Sequence, residues 1–322
     1  MKLVYYGSSD FSVPVLEALI NSPHEVVLVI TQPDKKKGRG QKMIPTEVKE
    51  FAMEHGIPVW TPPSLRGEDF DAEIRTVQHD VAVVASYGKI VPANILDIPK
   101  FGYMNVHSSL LPKYRGASPM HGALLNGDTI TGVSIMQMDV GLDTGAVMMK
   151  TELPILPEDD IATISAKLAD IGGKDMVTSL DLLEKGEAVF IPQNDAEVTH
   201  TKKIKKEHSI IDWQESAATL MNKDRAYRTW PGLNTQFRGK DVMLEGLKLV
   251  SEEELDIDKS FLEKAECGTI VCRDKKTLVI KTGKGLVKPA FFKVAGKNKV
   301  EAQSFIAGYQ PKLGDIFRNK HS

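Results

Sequence analysis

Two polar side chains at the end of an apolar run, and a carboxylate from a later segment, are the clearest chemical signal in this 322-residue sequence. Asn105 and His107 are two positions apart in Asn-Val-His, and alternate residues of an extended strand point to the same side. Asp143 follows in the glycine-flanked stretch Gly-Leu-Asp-Thr-Gly. An amide donor, an acid–base group and an orienting carboxylate are what acyl transfer to a nucleophile requires. The sequence therefore predicts an acyl-transfer site made of Asn105, His107 and Asp143.

Each of these three side chains has a different expected role. An imidazole with a pKa near ~6.5, such as that of His107, is suited to moving protons at neutral pH. Asp143 would orient the ring and favour its protonated form. Asn105 would donate to a developing oxyanion, an interaction worth about 3 kcal/mol per donor. A single histidine on a strand is more often structural than catalytic, so the prediction depends on the three residues meeting in the fold.

Two short segments near these residues are candidate walls of a binding site. Leu110-Leu111-Pro112 follows the polar pair as a restricted apolar loop, which is either a simple turn or a wall for a flat heterocycle. Tyr87-Gly88-Lys89-Ile90 closes another predicted strand and offers an opposite wall.

A basic segment, residues 34–42, follows an early predicted strand. Its two glycines and its lack of an apolar anchor predict an exposed, mobile loop. Such a run of charge is usually only solvated, but beside a catalytic site it can bind phosphates. The basic residues proposed to do so are Lys36, Lys37, Arg39 and Lys42.

The first half of the chain alternates apolar β-branched runs with helical patterns. Strands are expected at 3–7, 26–31, 81–87, 103–108, 131–138 and 146–153, and helices at 12–21, 46–55, 118–126 and 161–185. This alternation predicts an α/β domain with a doubly wound, largely parallel sheet. Sites in such domains lie beyond the carboxyl ends of the strands, where Asn105 and His107 fall.

The composition changes near Pro192, and short glycine-broken runs replace the long alternation. One helix is expected at 216–226 and strands at 235–237, 241–249, 268–271, 278–282 and 286–292, which favours a small, mostly antiparallel barrel or sandwich. We predict a catalytic domain at 1–190, a basic linker at 191–208 and a second domain at 209–322. The linker contains Lys203, Lys205 and Lys206.

Composition and known motifs exclude several classes of protein. Hydrophobic residues at 42% and charged residues at 26% are ordinary for a globular protein. Two cysteines cannot form a disulfide framework, and without a secretory leader or a membrane-spanning run we expect a cytoplasmic protein. The Gly-x-Gly-x-x-Gly fingerprint, a P-loop and a His-Glu-x-x-His motif are all missing, which disfavours nicotinamide or flavin binding, NTP hydrolysis and metalloprotease activity.

Charge is distributed unevenly along the chain. Residues 208–322 contain 20 Lys and Arg against 15 Asp and Glu, whereas residues 1–207 have a net charge of −7. Eight lysines and no acidic residue lie between Asp274 and Glu301. This stretch is either a solvated surface or a face that binds a polyanion such as nucleic acid.

Four separated motifs together resemble one enzyme family. They are Asn105-Val-His107, Ser109-Leu-Leu-Pro112, Tyr114-Arg-Gly116 and Met138-Asp-Val-Gly-Leu-Asp143-Thr-Gly145, in this order. In combination they resemble the 10-formyltetrahydrofolate-dependent formyltransferases, and the resemblance covers nearly the whole chain. Ser108 stands where relatives usually have glycine, and this difference could alter the geometry of the loop.

The resemblance implies a Rossmann-like catalytic domain, an OB-like barrel and a one-carbon transferase of class EC 2.1.2. It implies 10-formyltetrahydrofolate as co-substrate, no metal, and the amine of initiator methionyl-tRNA as acceptor in translation initiation. Ser109–Pro112 would line the folate site, with Tyr87, Gly88 and Ile90 opposite. Arg39 would approach the acceptor end of the tRNA, whose phosphates the second domain would bind. We expect a monomer with no membrane partner.

Two other interpretations remain open from the sequence. A formyltransferase acting on a sugar-nucleotide amine shares the Asn, His and Asp set, but the basic segments favour tRNA. A non-catalytic RNA-binding protein built on a decayed enzyme is disfavoured because Asn105, His107 and Asp143 are all present.

Overall fold

The structure is a computed structural model that describes residues 1–37, 42–255 and 257–319. The chain forms two compact units. The first consists of residues 1–123, 129–156 and 163–203, and the second of residues 124–128, 157–162 and 204–322. Residues 191–203, placed in the linker by the sequence, thus have their contacts in the first unit.

Alternating strands and helices make up the chain as far as residue 203. The strands are β1 (Lys2–Gly7), β2 (Glu25–Ile30), β3 (Lys35–Lys37), β4 (Lys42–Ile44), β5 (Val59–Trp60), β6 (Val81–Ala85), β7 (Tyr103–His107), β8 (Arg115–Gly116), β9 (Ile130–Gln137), β10 (Val147–Pro154) and β11 (His200–Thr201). The helices are α1 (Ser12–Ile20), α2 (Glu47–Glu54), α3 (Glu68–Thr76), α4 (Ala93–Leu96), α5 (Pro119–Asn126) and α6 (Ile161–Lys185).

The main sheet of the first unit has the strand order β10-β9-β7-β6-β1-β2-β5. β7, β6, β1, β2 and β5 run parallel, while β9 is antiparallel to both β7 and β10. The α/β architecture with a largely parallel sheet, predicted from the sequence, is therefore confirmed, and the antiparallel β9 makes the sheet mixed. The continuous burial of β6, Val-Ala-Val-Val-Ala, is typical of a strand covered on both faces.

One face of β7 packs on the long helix α6. A Cβ added at Gly172 of α6 would lie 2.5 Å from Cγ1 of Val106, so the helix approaches β7 closely at this point. Because side chains alternate along a strand, Asn105 and His107 occupy the opposite face. The close contact with α6 thus fixes which side of the sheet carries the polar pair.

The second unit is an antiparallel β unit with short helices. Its elements are α7 (Ala217–Tyr227), β12 (Leu233–Phe237), β13 (Lys240–Glu245), β14 (Lys248–Val250), α8 (Lys259–Lys264), β15 (Ile270–Arg273), β16 (Leu278–Lys281), β17 (Leu286–Lys288), β18 (Phe291–Val294), β19 (Val300–Glu301), α9 (Ala302–Tyr309) and β20 (Phe317–Arg318). One sheet has the order β19-β18-β13-β12-β20 and the other β14-β17-β16-β15. The predicted antiparallel character is confirmed.

Several predicted boundaries differ from the structure. The expected strand 241–249 is divided at Gly246, which has a φ of 71° and therefore turns the chain between β13 and β14. The expected strand 286–292 is divided into β17 and β18 at Pro289-Ala290. Around the basic segment, β3 and β4 pair as antiparallel strands instead of forming a loop, whereas residues 38–41 lie outside the described residues.

None of the helices that the structure describes has the length and apolar character needed to cross a membrane.

Candidate active site

His107 lies at the end of β7 with both ring nitrogens facing polar groups. Nε2 lies 3.2 Å from the carbonyl oxygen of Tyr114, and Nδ1 lies 3.8 Å from Oδ1 of Asp143. A carbonyl oxygen can only accept a hydrogen bond, so Nε2 carries the hydrogen of the neutral ring. The lone pair of the neutral ring is then on Nδ1, the nitrogen that faces Asp143.

Burial controls the protonation of this histidine. The residue is 5% exposed, and burial lowers the pKa of His107 from its usual 6.5, while the Asp143 carboxylate and the Tyr114 carbonyl oppose the change. Asp143 thus acts in the expected direction, toward the protonated ring, but burial has the larger effect. The lowered pKa favours the neutral ring of His107, which is the form that accepts a proton.

Asp143 reaches His107 from the loop between β9 and β10. Because β9 runs antiparallel to β7, this loop begins beside the start of β7, where the Met138 N–H donates to the Tyr103 carbonyl at 2.7 Å. Oδ2 of Asp143 accepts a hydrogen bond from the Gly116 N–H at 2.7 Å, which leaves Oδ1 facing His107. The structure thus brings the two predicted acid–base residues together.

Asp143 has a strained backbone. Its φ is 55°, a left-handed conformation that costs a non-glycine residue about 1–3 kcal/mol in general. Tyr114, whose carbonyl contacts His107, also has a positive φ, of 62°. Strain of this kind concentrates at functional sites, where surrounding contacts hold it in place.

Asn105 lies on the same face of β7, two residues before His107. Asn105 is partly exposed, and its side-chain amide makes no hydrogen bond to any of the described residues. The amide is therefore free to donate to a bound group. A neutral imidazole with a facing carboxylate, next to a free amide donor, can move a proton and stabilise an oxyanion.

The loop after β7 is fixed by a buried serine on the neighbouring strand. Ser134 of β9 pairs with His107 across the sheet, and its hydroxyl donates to the Ser109 carbonyl at 2.7 Å and accepts from the Leu111 N–H at 3.0 Å. Ser109 itself donates to the Lys113 carbonyl. Leu111 is 1% exposed, and the Leu111–Pro112 peptide bond is cis. This loop is shaped by internal contacts, and within 109–112 only Leu110 is partly exposed.

The segment predicted as the opposite wall is divided between core and surface. Tyr87 is 1% exposed and packs edge-on against Tyr6 in the core, while Ile90 is 72% exposed. Gly88 is exposed and has a φ of 78°. Tyr87 therefore contributes its backbone, whose carbonyl accepts from Nε2 of Gln32, whereas Ile90 presents an apolar side chain.

Serine at position 108 fits the local backbone. Ser108 is buried but is not among the described residues with positive φ, so the position does not demand glycine for its conformation. The loop keeps its internal hydrogen bonds with serine present.

The predicted basic residues are mainly on the surface. The side chains of Lys36, Lys42, Lys203, Lys205 and Lys206 are exposed, and Lys205 lies 3.4 Å from Glu207. Lys37 lies in β3, but its side chain, like the whole of Arg39, lies outside what the structure describes.

Sequence reasoning gave no role to Arg115 or to Gln193. Gln193 contacts the Asp143 loop, and Arg115 contacts Gln193. Arg115 was visible only as part of the Tyr-Arg-Gly motif, and Gln193 lay in the assigned linker. Nothing in the local sequence marks Gln193, because its partners are 48 and 50 positions away.

A group of potential metal ligands lies elsewhere in the first unit. His24, Asp181 and Glu184 place their ligand atoms within 4.8 Å of one another. However, Nδ1 of His24 lies 3.3 Å from the amino group of Met1, which in turn lies 3.1 Å from Glu184. An ammonium donor at Nδ1 leaves the hydrogen of the neutral ring on Nε2, toward Asp181. Ion pairing accounts for this arrangement without a metal.

Comparison with known protein families matches both parts of the chain. The family described as Formyl transferase matches residues 1–180, and Formyl transferase, C-terminal domain, matches residues 203–310. A protein of Trichlorobacter lovleyi named methionyl-tRNA formyltransferase is 38% identical over 315 residues, which cover 98% of this chain and 96% of the relative. A protein of the same name from Dictyoglomus turgidum is 40% identical over 322 residues, covering 99% and 100%.

A solved structure of similar fold is the N-formyltransferase of Helicobacter canadensis, in complex with folinic acid and dTDP-3-aminofucose. The TM-score is 0.65 at 17% identity, over 90% of this chain and 98% of the other. At this identity the likeness concerns the fold.

Proposed function

Because this chain belongs to the formyl transferase family, we propose that it transfers the formyl group of 10-formyltetrahydrofolate to the free amine of initiator methionyl-tRNA. The approach of Asp143 to His107, with Asn105 on the same face of β7, is the observation that carries the chemistry. The full-length relatives named for this reaction support the choice of acceptor.

The attack itself needs little help from a base. An α-amino group has a pKa near ~7.7–8.0, so part of it is neutral at physiological pH. Its nitrogen attacks the formyl carbon, and the formyl oxygen gains negative charge in the tetrahedral intermediate. The Asn105 amide, free of partners among the described residues, donates to that oxygen.

His107 and Asp143 then take part in the proton transfers. The Tyr114 carbonyl holds the hydrogen on Nε2, so Nδ1 accepts the proton that the amine loses and returns one to the departing folate nitrogen. Nδ1 and Oδ1 of Asp143 are 3.8 Å apart, and a nitrogen or a water placed off their axis can lie about 2.9 Å from both. The carboxylate also stabilises the imidazolium while it holds the proton.

The residues near the site suit a flat apolar co-substrate. Ile90 is 72%, Val140 82% and Leu142 62% exposed, and two of them lie within three residues of Asp143. Val140 and Leu142 are thus both exposed in the loop that carries Asp143, and adjoining exposed apolar side chains indicate a binding surface. We assign the folate contacts to these side chains, to Leu110 and to the backbone of Ser109–Pro112, Tyr87 and Gly88.

The tRNA is assigned to the basic surface. We keep the boundaries proposed from the sequence, with the second domain at 209–322 binding phosphates together with Lys36, Lys37, Arg39 and Lys42. Not all of its lysines are available, because Lys281 donates to the carbonyls of Leu262 and Ala265 and Lys299 pairs with Glu245. Exposed lysines for this role are Lys275, Lys276, Lys284, Lys293 and Lys297. The proposal places the protein in the cytoplasm as a monomer.

One assay tests the choice of acceptor. The protein is incubated with 10-formyltetrahydrofolate and either charged initiator tRNA or an amino-sugar nucleotide. We expect formylation of the methionyl amine only. Formylation of the sugar alone would identify the other acceptor, and salt-sensitive tRNA binding without transfer would identify a non-catalytic RNA-binding protein.

The basic linker is expected to contribute to the KM for tRNA. Replacing Lys203, Lys205 and Lys206 by glutamate should raise this KM by tenfold or more at low salt, because phosphate contacts dominate such binding. The KM for folate and the kcat should change little. A matched control replaces Lys167, Lys174 and Lys185 of α6 by glutamate and should leave all three constants unchanged. Equal effects of both triple variants would contradict a role for the linker.

A further inference from the structure

Gln193 connects the loop of Asp143 to the strand that carries Gly116. Its side-chain Nε2 donates to the carbonyl oxygens of both Asp143 and Gly145, at 2.8 Å each. Its Oε1 accepts a hydrogen bond from Nε of Arg115 at 3.0 Å. Both hydrogens of the amide and its oxygen are therefore used in contacts around the Asp143 loop.

The loop is thereby held from two sides by adjacent residues. The Gly116 N–H binds the Asp143 carboxylate, and the side chain of Arg115 binds Gln193, which binds the Asp143 backbone. Arg115 is 5% exposed and gains a second partner in Asp195, whose Oδ1 lies 3.0 Å from Nη2. Side chain and backbone of Asp143 are thus tied to the same two-residue strand, β8.

This support matters because the conformation of Asp143 is unfavourable on its own. At a φ of 55° the residue needs contacts that over-determine it. A return of Asp143 to a more favourable φ is the change that these contacts oppose. Such a change would move Oδ1 away from Nδ1 of His107, and a displacement of about 1 Å in a catalytic group can cost 10²-fold in rate.

We propose that Gln193 is a positioning residue that sets the reactive placement of Asp143 opposite His107. The inference rests on the proposed function, since it assigns Gln193 a part in the same reaction. Gln193 acts through Asp143 and does not contact the reacting atoms itself. Neither glutamate nor methionine can replace it, because both lack the two N–H donors that bind the Asp143 and Gly145 carbonyls.

Two variants test the position directly. Gln193→Met removes all three hydrogen bonds at similar volume, and Gln193→Glu keeps an acceptor for Arg115 while removing both donors. Each should lower kcat by about 10- to 100-fold, with the KM for folate and for tRNA within threefold of wild type. Asp195→Asn is the matched control, because Asp195 is 87% exposed and contacts the same Arg115. This control should keep the wild-type kcat.

A double-variant cycle separates positioning from a general structural effect. If Gln193 acts through Asp143, Gln193→Met should reduce kcat much less in an Asp143→Asn background than in the wild type. Multiplicative losses in the double variant would overturn the proposal, as would a wild-type kcat in Gln193→Glu. If Gln193→Met fails to fold, the cycle is run with Gln193→Glu. Failure of the proposed function itself would be seen separately, as absence of formylation of tRNA by the wild-type protein.

Discussion

Replacing His107 by alanine is expected to lower kcat by about 10²- to 10⁴-fold, the usual contribution of a positioned acid–base group. The reason is that Nδ1 is the proton-accepting nitrogen and faces Asp143 at 3.8 Å, with the tautomer fixed by the Tyr114 carbonyl. The KM for folate should change by a few-fold at most, because the ring contributes to proton transfer more than to binding. Steady-state kinetics with each substrate varied in turn gives both constants.

The matched control is His79→Ala. His79 also has a pKa lowered by burial and a ring nitrogen 2.7 Å from a backbone carbonyl, that of Val77, but it does not contact Asp143. It should retain the wild-type kcat. Near-normal turnover in His107→Ala would contradict the assignment of His107. An equal loss in His79→Ala would show that removing a buried imidazole accounts for the effect.

The pH dependence of the same reaction reports on the protonation of His107. The neutral ring is the active form, and it is lost as the pH falls through a pKa that lies below the usual 6.5. As the pH is lowered, kcat/KM should therefore fall first when the substrate amine is protonated, near ~7.7–8.0. It should fall again below about 6.5, when His107 is protonated. Asp143→Asn removes the charge that raises the His107 pKa, so only the second step should move to lower pH. A shift of that step to higher pH would contradict this electrostatic arrangement.

The placement of Asn105 and His107 could be predicted because it depends on local pattern. A short apolar run with alternating polar residues fixes a strand and the side on which its side chains lie. The direction of β9 could not be predicted in this way, because direction is decided by pairing with β7, which is distant in the chain. The same limit applies to Gln193, whose two acceptors lie about fifty positions earlier.

Burial explains why the predicted folate walls are only partly side chains. Tyr87 follows the fully buried strand β6, so its ring joins Tyr6 in the core instead of facing the site. Leu111 joins Met136 and Val147 in a small apolar cluster. Apolar character near a site therefore does not distinguish a ligand wall from core packing, and the exposed Ile90, Val140 and Leu142 are the stronger candidates.

The change in composition near Pro192 does not coincide with a change in contacts, because the contacts of the first unit continue to residue 203. The backbone of Ile191 pairs with Val147, and β11 pairs with β8, so residues 191–203 complete the first unit. The linker prediction rests on the change of composition near Pro192 and on Lys203, Lys205 and Lys206. In the structure Gln193 is used to hold the Asp143 loop, which no compositional rule can foresee.

Asn105→Ala is expected to lower kcat by about 10²- to 10³-fold, the range found when one oxyanion donor is removed. Since the amide has no partner among the described residues, its removal leaves no buried group unsatisfied, so the melting temperature should change little.

Asn105→Asp tests the same role by placing a negative charge where the amide stands. A carboxylate beside the developing oxyanion repels it and cannot donate at neutral pH, so kcat should fall below that of Asn105→Ala. Asn194→Asp is the control for an exposed asparagine whose contacts, to Ala196 and Glu197, lie within its own turn. A kcat of Asn105→Asp equal to or above that of Asn105→Ala would mean that the amide binds the substrate without stabilising negative charge. Its loss would then appear in KM, and the oxyanion would have to be stabilised by another donor of the site.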